Sequence, residues 1–80
     1  MLLYQAIKEN LYHEDIGNYV SYGIAVTQDG VTVDFISDVS VDEDEVRELA
    51  RIFTESGLSP IHLVDAVEDF LSDGVLPAAN

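Results

Sequence analysis

The chain has 80 residues, the size of one small domain, and 48% of them are hydrophobic, which argues against a disordered acidic tail. Sixteen acidic and three basic side chains give a formal net charge of −13. This charge repels phosphate backbones and anionic lipids, so we expect neither nucleic acid nor a membrane as a partner. Because the sequence has no cysteine, disulfides, cysteine-ligated zinc and thiol catalysis are excluded.

The first residues, Met1-Leu2-Leu3-Tyr4, carry no basic side chain and no long apolar stretch. They do not match a secretory signal peptide. No run in the sequence approaches the ~20 apolar residues that span a bilayer. We therefore expect a cytoplasmic protein.

Alternation of apolar and polar residues predicts three strands in the first half of the chain. They cover residues 3–12, 19–27 and 31–36, with a turn over 13–18 and a tight Asp-Gly hairpin at 28–30. In the first strand both alternating sets contain apolar residues. In the second, one set is bulky and the other small or polar, which is typical of a sheet covered on one face only. The bulky set is Val20, Tyr22, Ile24 and Val26.

Two amphipathic helices follow. The first begins at either Ser40 or Asp42, since each has a glutamate three residues later, as in a capping box. Apolar residues then recur at helical spacing and predict one buried stripe on each helix. The stripes are Val46, Leu49, Ala50 and Phe53 on the first helix, and Leu63, Val64, Val67, Phe70 and Leu71 on the second.

A five-residue corner, Gly57-Leu58-Ser59-Pro60-Ile61, joins the two helices. Gly57 suits the left-handed position that ends a helix, and Leu58 then contacts Phe53, as in a Schellman motif. Ser59 is predicted to cap the next helix, with Pro60 in its first turn, where no N–H is needed.

These elements predict a two-layer α+β domain, in which a three-stranded antiparallel meander is followed by two helices packed on one face (βββαα). Strands grouped before helices argue against a parallel βαβ fold. We assign residues 1–74 to this single domain and residues 75–80 to a short frayed tail.

The face of the sheet away from the helices is the first candidate site. We expect Tyr4, Tyr12, Tyr19 and Ile36 to lie on it, around small residues in the centre of the second strand. In so acidic a protein, an uncharged and partly apolar face favours docking of a protein partner or of a second copy in a homodimer. The alternative is an ordinary solvated sheet face with scattered aromatic side chains.

Arg47 and Arg51 lie one turn apart on the first helix, between Glu43 and Glu55. One reading of this row is two surface ion pairs, each contributing a few tenths of a kcal/mol. The other is that the two arginines hold an acidic ligand or partner.

Acidic residues before and at the start of the first helix suggest a divalent-metal site or a small metal-dependent enzyme. Its ligands would be Asp38, Asp42 and Asp44, with His13 as a fourth candidate. The spacing lacks the Asp-x-Asp-x-Asp-Gly pattern and distal glutamate of a calcium loop. Charge on the solvent side of a helix N-terminus accounts for the same residues.

Three short motifs resemble a family of small uncharacterised bacterial proteins, grouped as a domain of unknown function. They are Tyr22-Gly23-Ile24, Ser59-Pro60-Ile61-His62-Leu63 and Val67-Glu68-Asp69-Phe70-Leu71. The resemblance covers roughly residues 4–73. It implies a similar fold and a bacterial source, and it brings no activity, ligand or catalytic residue.

No phosphate loop, catalytic triad order or nucleophile elbow is present in the sequence. We therefore expect a non-catalytic protein-interaction domain without a cofactor. It would bind through the open sheet face or the acidic helical surface. A basic partner suits the charge, and its binding would depend strongly on salt. A further hypothesis is an acidic mimic of nucleic acid that blocks a nucleic-acid-binding protein.

Overall fold

The computed structural model describes residues 1–73, which form three strands and two helices. The strands β1 (Leu2–His13), β2 (Gly17–Gln28) and β3 (Val31–Ser40) pair antiparallel in the order β1-β2-β3. The helices α1 (Glu43–Ser56) and α2 (Leu63–Asp73) follow, with a 3-10 turn at Pro60–His62 between them. The predicted βββαα fold is confirmed. Gly74 and the predicted tail lie outside the described residues.

The Asp-Gly turn between β2 and β3 forms as predicted. Asp29 has a φ of 53° and Gly30 a φ of 85°. Positive φ at both central residues is the signature of a type I′ turn, whose twist matches that of the strands it joins.

Helix α1 begins at Asp42, the second of the two predicted caps. The Glu45 N–H donates to Asp42 Oδ1 at 3.2 Å. The helix ends at Gly57, which has a φ of 68°, and the N–H of Leu58 donates to the C=O of Phe53 at 3.1 Å. The Schellman ending is therefore confirmed. Ser59 holds the predicted N-cap position and Pro60 lies in the first turn that follows, but this turn is a 3-10 turn and the Ser59 side chain makes no capping hydrogen bond.

Both helices lie on one face of the sheet and bury the predicted stripe of α1. The core cluster is Tyr4, Ile24, Val26, Val39, Val46, Leu49, Ala50, Phe53, Leu63, Val67 and Phe70. On α2 the buried stripe is narrower than predicted, since Val64 and Leu71 are exposed. Leu63, Val67 and Phe70 follow one another at helical spacing and form the buried side of α2.

All three strands are longer than the sequence predicted, and this leaves one end of the sheet bare. A 12-residue strand is about 40 Å long, whereas the 14-residue α1 spans about 21 Å. Val20 lies on the helix side of the sheet as predicted, in step with the buried Ile24 and Val26, but it lies toward this bare end and is 41% exposed. The register of β3 against β2 shifts between Ile36 and Ser40, as in a β-bulge. Asp38 lies at this shift in the left-handed conformation, with a φ of 53°, and this allows β3 to continue to Ser40.

Candidate functional site

Tyr4, predicted to lie on the open face, lies under the helices instead. It is 3% exposed, and its ring meets Phe53 edge to face with centroids 5.6 Å apart. Its hydroxyl donates to the C=O of Leu58 at 2.5 Å. Burial, followed by the charge of Asp34, raises the pKa of Tyr4 above its ordinary value. The assignment of Tyr4 to the open face was therefore wrong.

The prediction that Ile36 lies on the open face was also wrong, and the register of the strands explains both errors. In the antiparallel register Ile36 lies opposite Ile24, just as Tyr4 lies opposite Val26. Opposed residues share a face of the sheet, so both follow β2 into the core. Ile36 is partly buried against that core.

The other two tyrosines lie near the bare end of the β1–β2 hairpin. Tyr19 lies on the open face as predicted, half-buried, with its hydroxyl donating to Asp38 Oδ2 at 2.7 Å. Tyr12 is exposed but alternates in step with Tyr4, so it lies on the helix side of the sheet and its assignment to the open face was also wrong. Both line a shallow depression of about 410 Å³. The full lining is Asn10, Leu11, Tyr12, Asn18, Tyr19 and Val20. None of these side chains is charged at neutral pH.

The open face instead carries a group of aliphatic and aromatic side chains that the sequence analysis missed. Leu3 and Ile7 are each 38% exposed, Phe35 is 44% exposed, and Ala25 lies flat between the outer strands. We call Leu3, Ile7, Ala25 and Phe35 the open-face patch. The signal was present in the first strand, where Leu3, Ile7 and Leu11 share one parity.

Gly23 shapes this patch at the centre of β2. A Cβ at Gly23 would lie 2.9 Å from Phe35 Cζ, 3.0 Å from Glu9 Oε2 and 2.5 Å from the carbonyl oxygen of Ile36. The missing side chain therefore lets the Phe35 ring reach over β2 from one side and the Glu9 carboxylate reach over it from the other.

Next to the patch, a polar network ties β1 and β2 to the irregular end of β3. Glu9 accepts hydrogen bonds from the Ser37 hydroxyl and from the Asp38 N–H, both at 2.8 Å. Asp38 in turn accepts from the hydroxyls of Ser21, at 2.5 Å, and of Tyr19. We call these five residues the bulge network. Ser21 is fully buried, so its hydroxyl acts as a hydrogen-bond donor within the fold.

The network shifts the ionisation of two of its members. The hydrogen bond from Ser21, and then that from Tyr19, hold the pKa of Asp38 below its ordinary value. The bond to Asp38, then partial burial and the charges of Asp38 and Glu9, raise the pKa of Tyr19. Asp38 is thus held ionised and Tyr19 protonated, the states in which the bond between them is strongest.

Removing either donor is expected to raise the pKa of Asp38 toward its ordinary value. Because Ser21 makes the larger contribution, Ser21→Ala should raise it more than Tyr19→Phe does. A carboxyl group whose pKa is lowered in the folded state stabilises that state at a pH above the ordinary pKa of the group. This stabilisation is lost as the pH falls through the lowered pKa. Carbon-13 NMR titration of the Asp38 carboxyl measures the shift. Tyr12→Phe is the control, and an equal shift there would contradict the assignment.

Arg47 and Arg51 both form ion pairs along α1. Arg47 Nε lies 3.4 Å from Glu43 Oε2, and Arg51 Nη1 lies 2.5 Å from Glu55 Oε2. Arg51 also pairs with Glu48, which the sequence analysis did not include. This geometry matches the surface-pair reading of the row, and the pairs are exposed enough that each adds little stability.

The residues proposed for a metal site do not converge. Asp42 caps α1, Asp38 belongs to the bulge network, and His13 Nδ1 accepts the N–H of Asp15 at 3.1 Å in the first turn. In the part of the chain that the structure describes, no three histidine, aspartate or glutamate side chains are grouped so as to hold a metal ion. The metal alternative therefore has no support from this geometry.

The described residues define a class of small two-layer α+β proteins, with a helix pair on one face of a three-stranded meander and an apolar patch beside a polar network on the other. The chain belongs to the family of unknown function DUF6514, whose model matches residues 1–73. This confirms the resemblance drawn from the three motifs. Comparison with curated proteins and with solved structures found no match. Neither described helix has the length and apolar character needed to cross a membrane.

Proposed function

We propose that the protein is a non-catalytic binding domain that docks a basic protein partner on the open-face patch. The observation that carries this is the exposure of Leu3, Ile7 and Phe35 together on one sheet face of a chain with a net charge of −13. Grouped apolar side chains on one face of so acidic a protein favour a binding role, because they gain free energy when a partner removes them from water.

The surroundings of the patch favour a particular kind of partner. The Glu9 and Asp38 carboxylates lie at one end of the open face, and Asp29 lies in the hairpin turn at the other. The complementary ligand presents apolar side chains flanked by lysine or arginine. Long-range attraction to the negative chain would speed its association and make binding weaken as salt rises.

Phe35 is expected to be the strongest single contributor, since it is the only aromatic residue in the patch and aromatic side chains dominate interface energetics. Phe35→Asp should weaken binding of the partner captured from the native host by at least about tenfold. Val64→Asp is the matched control, because Val64 is similarly exposed, at 49%, but lies on α2 on the opposite side of the sheet. Isothermal titration with the purified partner measures both affinities at two salt concentrations.

Two results would contradict the proposal. If Phe35→Asp and the native chain bind the partner with equal affinity, the partner does not dock on the open-face patch. If that binding also weakens with salt, the partner binds the acidic surface of the helices instead. An affinity that does not change with ionic strength would contradict the proposal that the partner is basic.

A further inference from the structure

The outer edge of β1 carries main-chain N–H and C=O groups that point away from β2. Beyond Tyr4, no other described element pairs with them. The N–H of Tyr4 donates to Thr54 Oγ1 at 2.9 Å, and the Tyr4 carbonyl oxygen lies 3.3 Å from the same hydroxyl, so the main chain of Tyr4 points away from β2. Pairing of β1 with β2 is regular along its whole length, so outward groups recur at every second residue. Those beyond Tyr4 belong to Ala6, Lys8, Asn10 and Tyr12. We call them the free edge.

The opposite edge of the sheet is less able to accept another strand. Strand β3 shifts register against β2 at two places, and Asp38 adopts the left-handed conformation there. The Asp34 side chain also accepts the N–H of Phe35 at 2.8 Å. Irregular pairing and acidic side chains are known devices that blunt an edge strand. Of the two edges, the one along β1 is therefore open to sheet extension.

The charge of β1 differs from that of the rest of the chain. Lys8 and Glu9 are its two charged side chains, so with His13 neutral the strand has no net charge, while the whole chain carries −13. A second copy of β1 therefore meets little local repulsion at this edge. We propose that two copies of the chain pair through the free edge, β1 against β1 antiparallel, and join their sheets into one. This interface runs along the edge of the sheet, whereas the proposed partner docks on its open face, and Ile7 is the one patch residue that borders both.

One register uses the whole free edge. With the two-fold axis at Glu9, Ala6 pairs with Tyr12 of the second copy and Lys8 pairs with Asn10 of the second copy, each pair exchanging two main-chain hydrogen bonds. An axis at Lys8 would oppose the two lysines and place Tyr12 against Tyr4, whose outward groups Thr54 already occupies. An axis at Asn10 would place Ala6 against Glu14 in the turn.

Side chains on the open face suit the same register. Ile7 lies across from Leu11 of the second copy, an apolar cross-strand pair that extends the open face from one copy to the other. The two Glu9 residues meet at the axis. Each carboxylate is turned toward its own β3 by the bonds from Ser37 and Asp38, so the negative charges point away from each other.

The test uses the native chain by sedimentation equilibrium from about 10 µM to about 1 mM protein, a range that detects a weak dimer. Because each copy carries −13, self-association should strengthen at least tenfold between about 0.01 M and about 1 M NaCl, as the Debye length falls from about 30 Å to about 3 Å. Amide exchange at Ala6, Lys8, Asn10 and Tyr12 should slow as the protein concentration rises. A monomer at every concentration and salt would overturn the proposal.

Asn10→Pro and Asn10→Ala form a matched pair of variants. Proline removes one outward N–H without removing a β1–β2 hydrogen bond, and edge strands tolerate it at such positions. Asn10→Pro should be monomeric, while Asn10→Ala should dimerise like the native chain. A dimer that survives Asn10→Pro would overturn the proposal. If Asn10→Pro does not fold, exchange in the native chain decides, and protection confined to residues outside the free edge would overturn it equally.

Phe35→Asp separates this interface from the open-face patch. Phe35 lies on β3, at the far side of the sheet from β1, so the variant should leave self-association unchanged while it weakens partner binding. Loss of the dimer in Phe35→Asp would place self-association on the open face and overturn pairing through the free edge. The two proposals also respond to salt in opposite directions, so failure of one is recognised independently of the other.

Discussion

Replacing Tyr4 with alanine is expected to lower the free energy of unfolding by about 3–4 kcal/mol. The change removes a buried ring from its contact with Phe53 and leaves the C=O of Leu58 without its hydrogen-bond donor. At about 0.05–0.15 kcal/mol per residue, an 80-residue chain has about 4–12 kcal/mol of stability in total. Urea denaturation monitored by circular dichroism measures the loss directly.

Tyr12→Ala is the matched control for this substitution. Tyr12 belongs to the same strand and differs from Tyr4 mainly in being exposed, so the change should stay within about 0.5 kcal/mol. Comparable losses for the two variants would mean that Tyr4 does not join the helices to the sheet.

Gly23→Ala is expected to destabilise the protein by about 3 kcal/mol, at the upper end of the usual cost of overpacking. The added methyl group would lie 2.5 Å from the carbonyl oxygen of Ile36, a main-chain atom that cannot move without shifting β3. The Phe35 ring and the Glu9 carboxylate would have to move as well. Thermal unfolding should show a large fall in Tm, and amide shifts should concentrate in β3.

Gly17→Ala is the control, because it adds the same methyl group to a glycine that has no close neighbours. Gly17 has a φ of 78° but nothing lies within 4 Å of the position its Cβ would take. The cost there is limited to the left-handed backbone, about 1 kcal/mol. If Gly17→Ala costs as much as Gly23→Ala, close approach at Gly23 is not what determines the stability of the open face.

Local signals in the sequence located the turns and helix ends well, because each depends on a few adjacent residues. Asp29-Gly30 predicted a tight hairpin, Asp42 was one of two candidate caps, and Gly57 predicted a Schellman ending; the structure shows the hairpin, the cap at Asp42 and the Schellman ending. The stripe of α1 was also predictable, since helical spacing alone aligns it. The extension of β3 past residue 36 was not, because it depends on the left-handed conformation of Asp38 and its contacts with three other residues.

The candidate site was harder to predict than the fold. Both parities of β1 contain apolar residues, so alternation could not decide whether the set with Tyr4 or the set with Leu3 faces the helices. The tertiary structure decides this because the corner places the carbonyl oxygen of Leu58 within reach of the Tyr4 hydroxyl, which donates to it. A tyrosine that finds a hydrogen-bond partner can be buried at little cost.

Thus the sequence alone determined the order of the strands and helices, their turns and caps, the strong negative charge and the membership of a two-layer class. Those features arise from neighbouring residues, whose spacing is fixed by covalent geometry. Only the tertiary structure decided which side chains remain in water on the open face and which edge of the sheet is regular enough to accept another strand. The first depends on contacts between residues about fifty positions apart, such as Tyr4 with Thr54 and Leu58. The second depends on the contacts of Asp38 with Glu9, Tyr19 and Ser21.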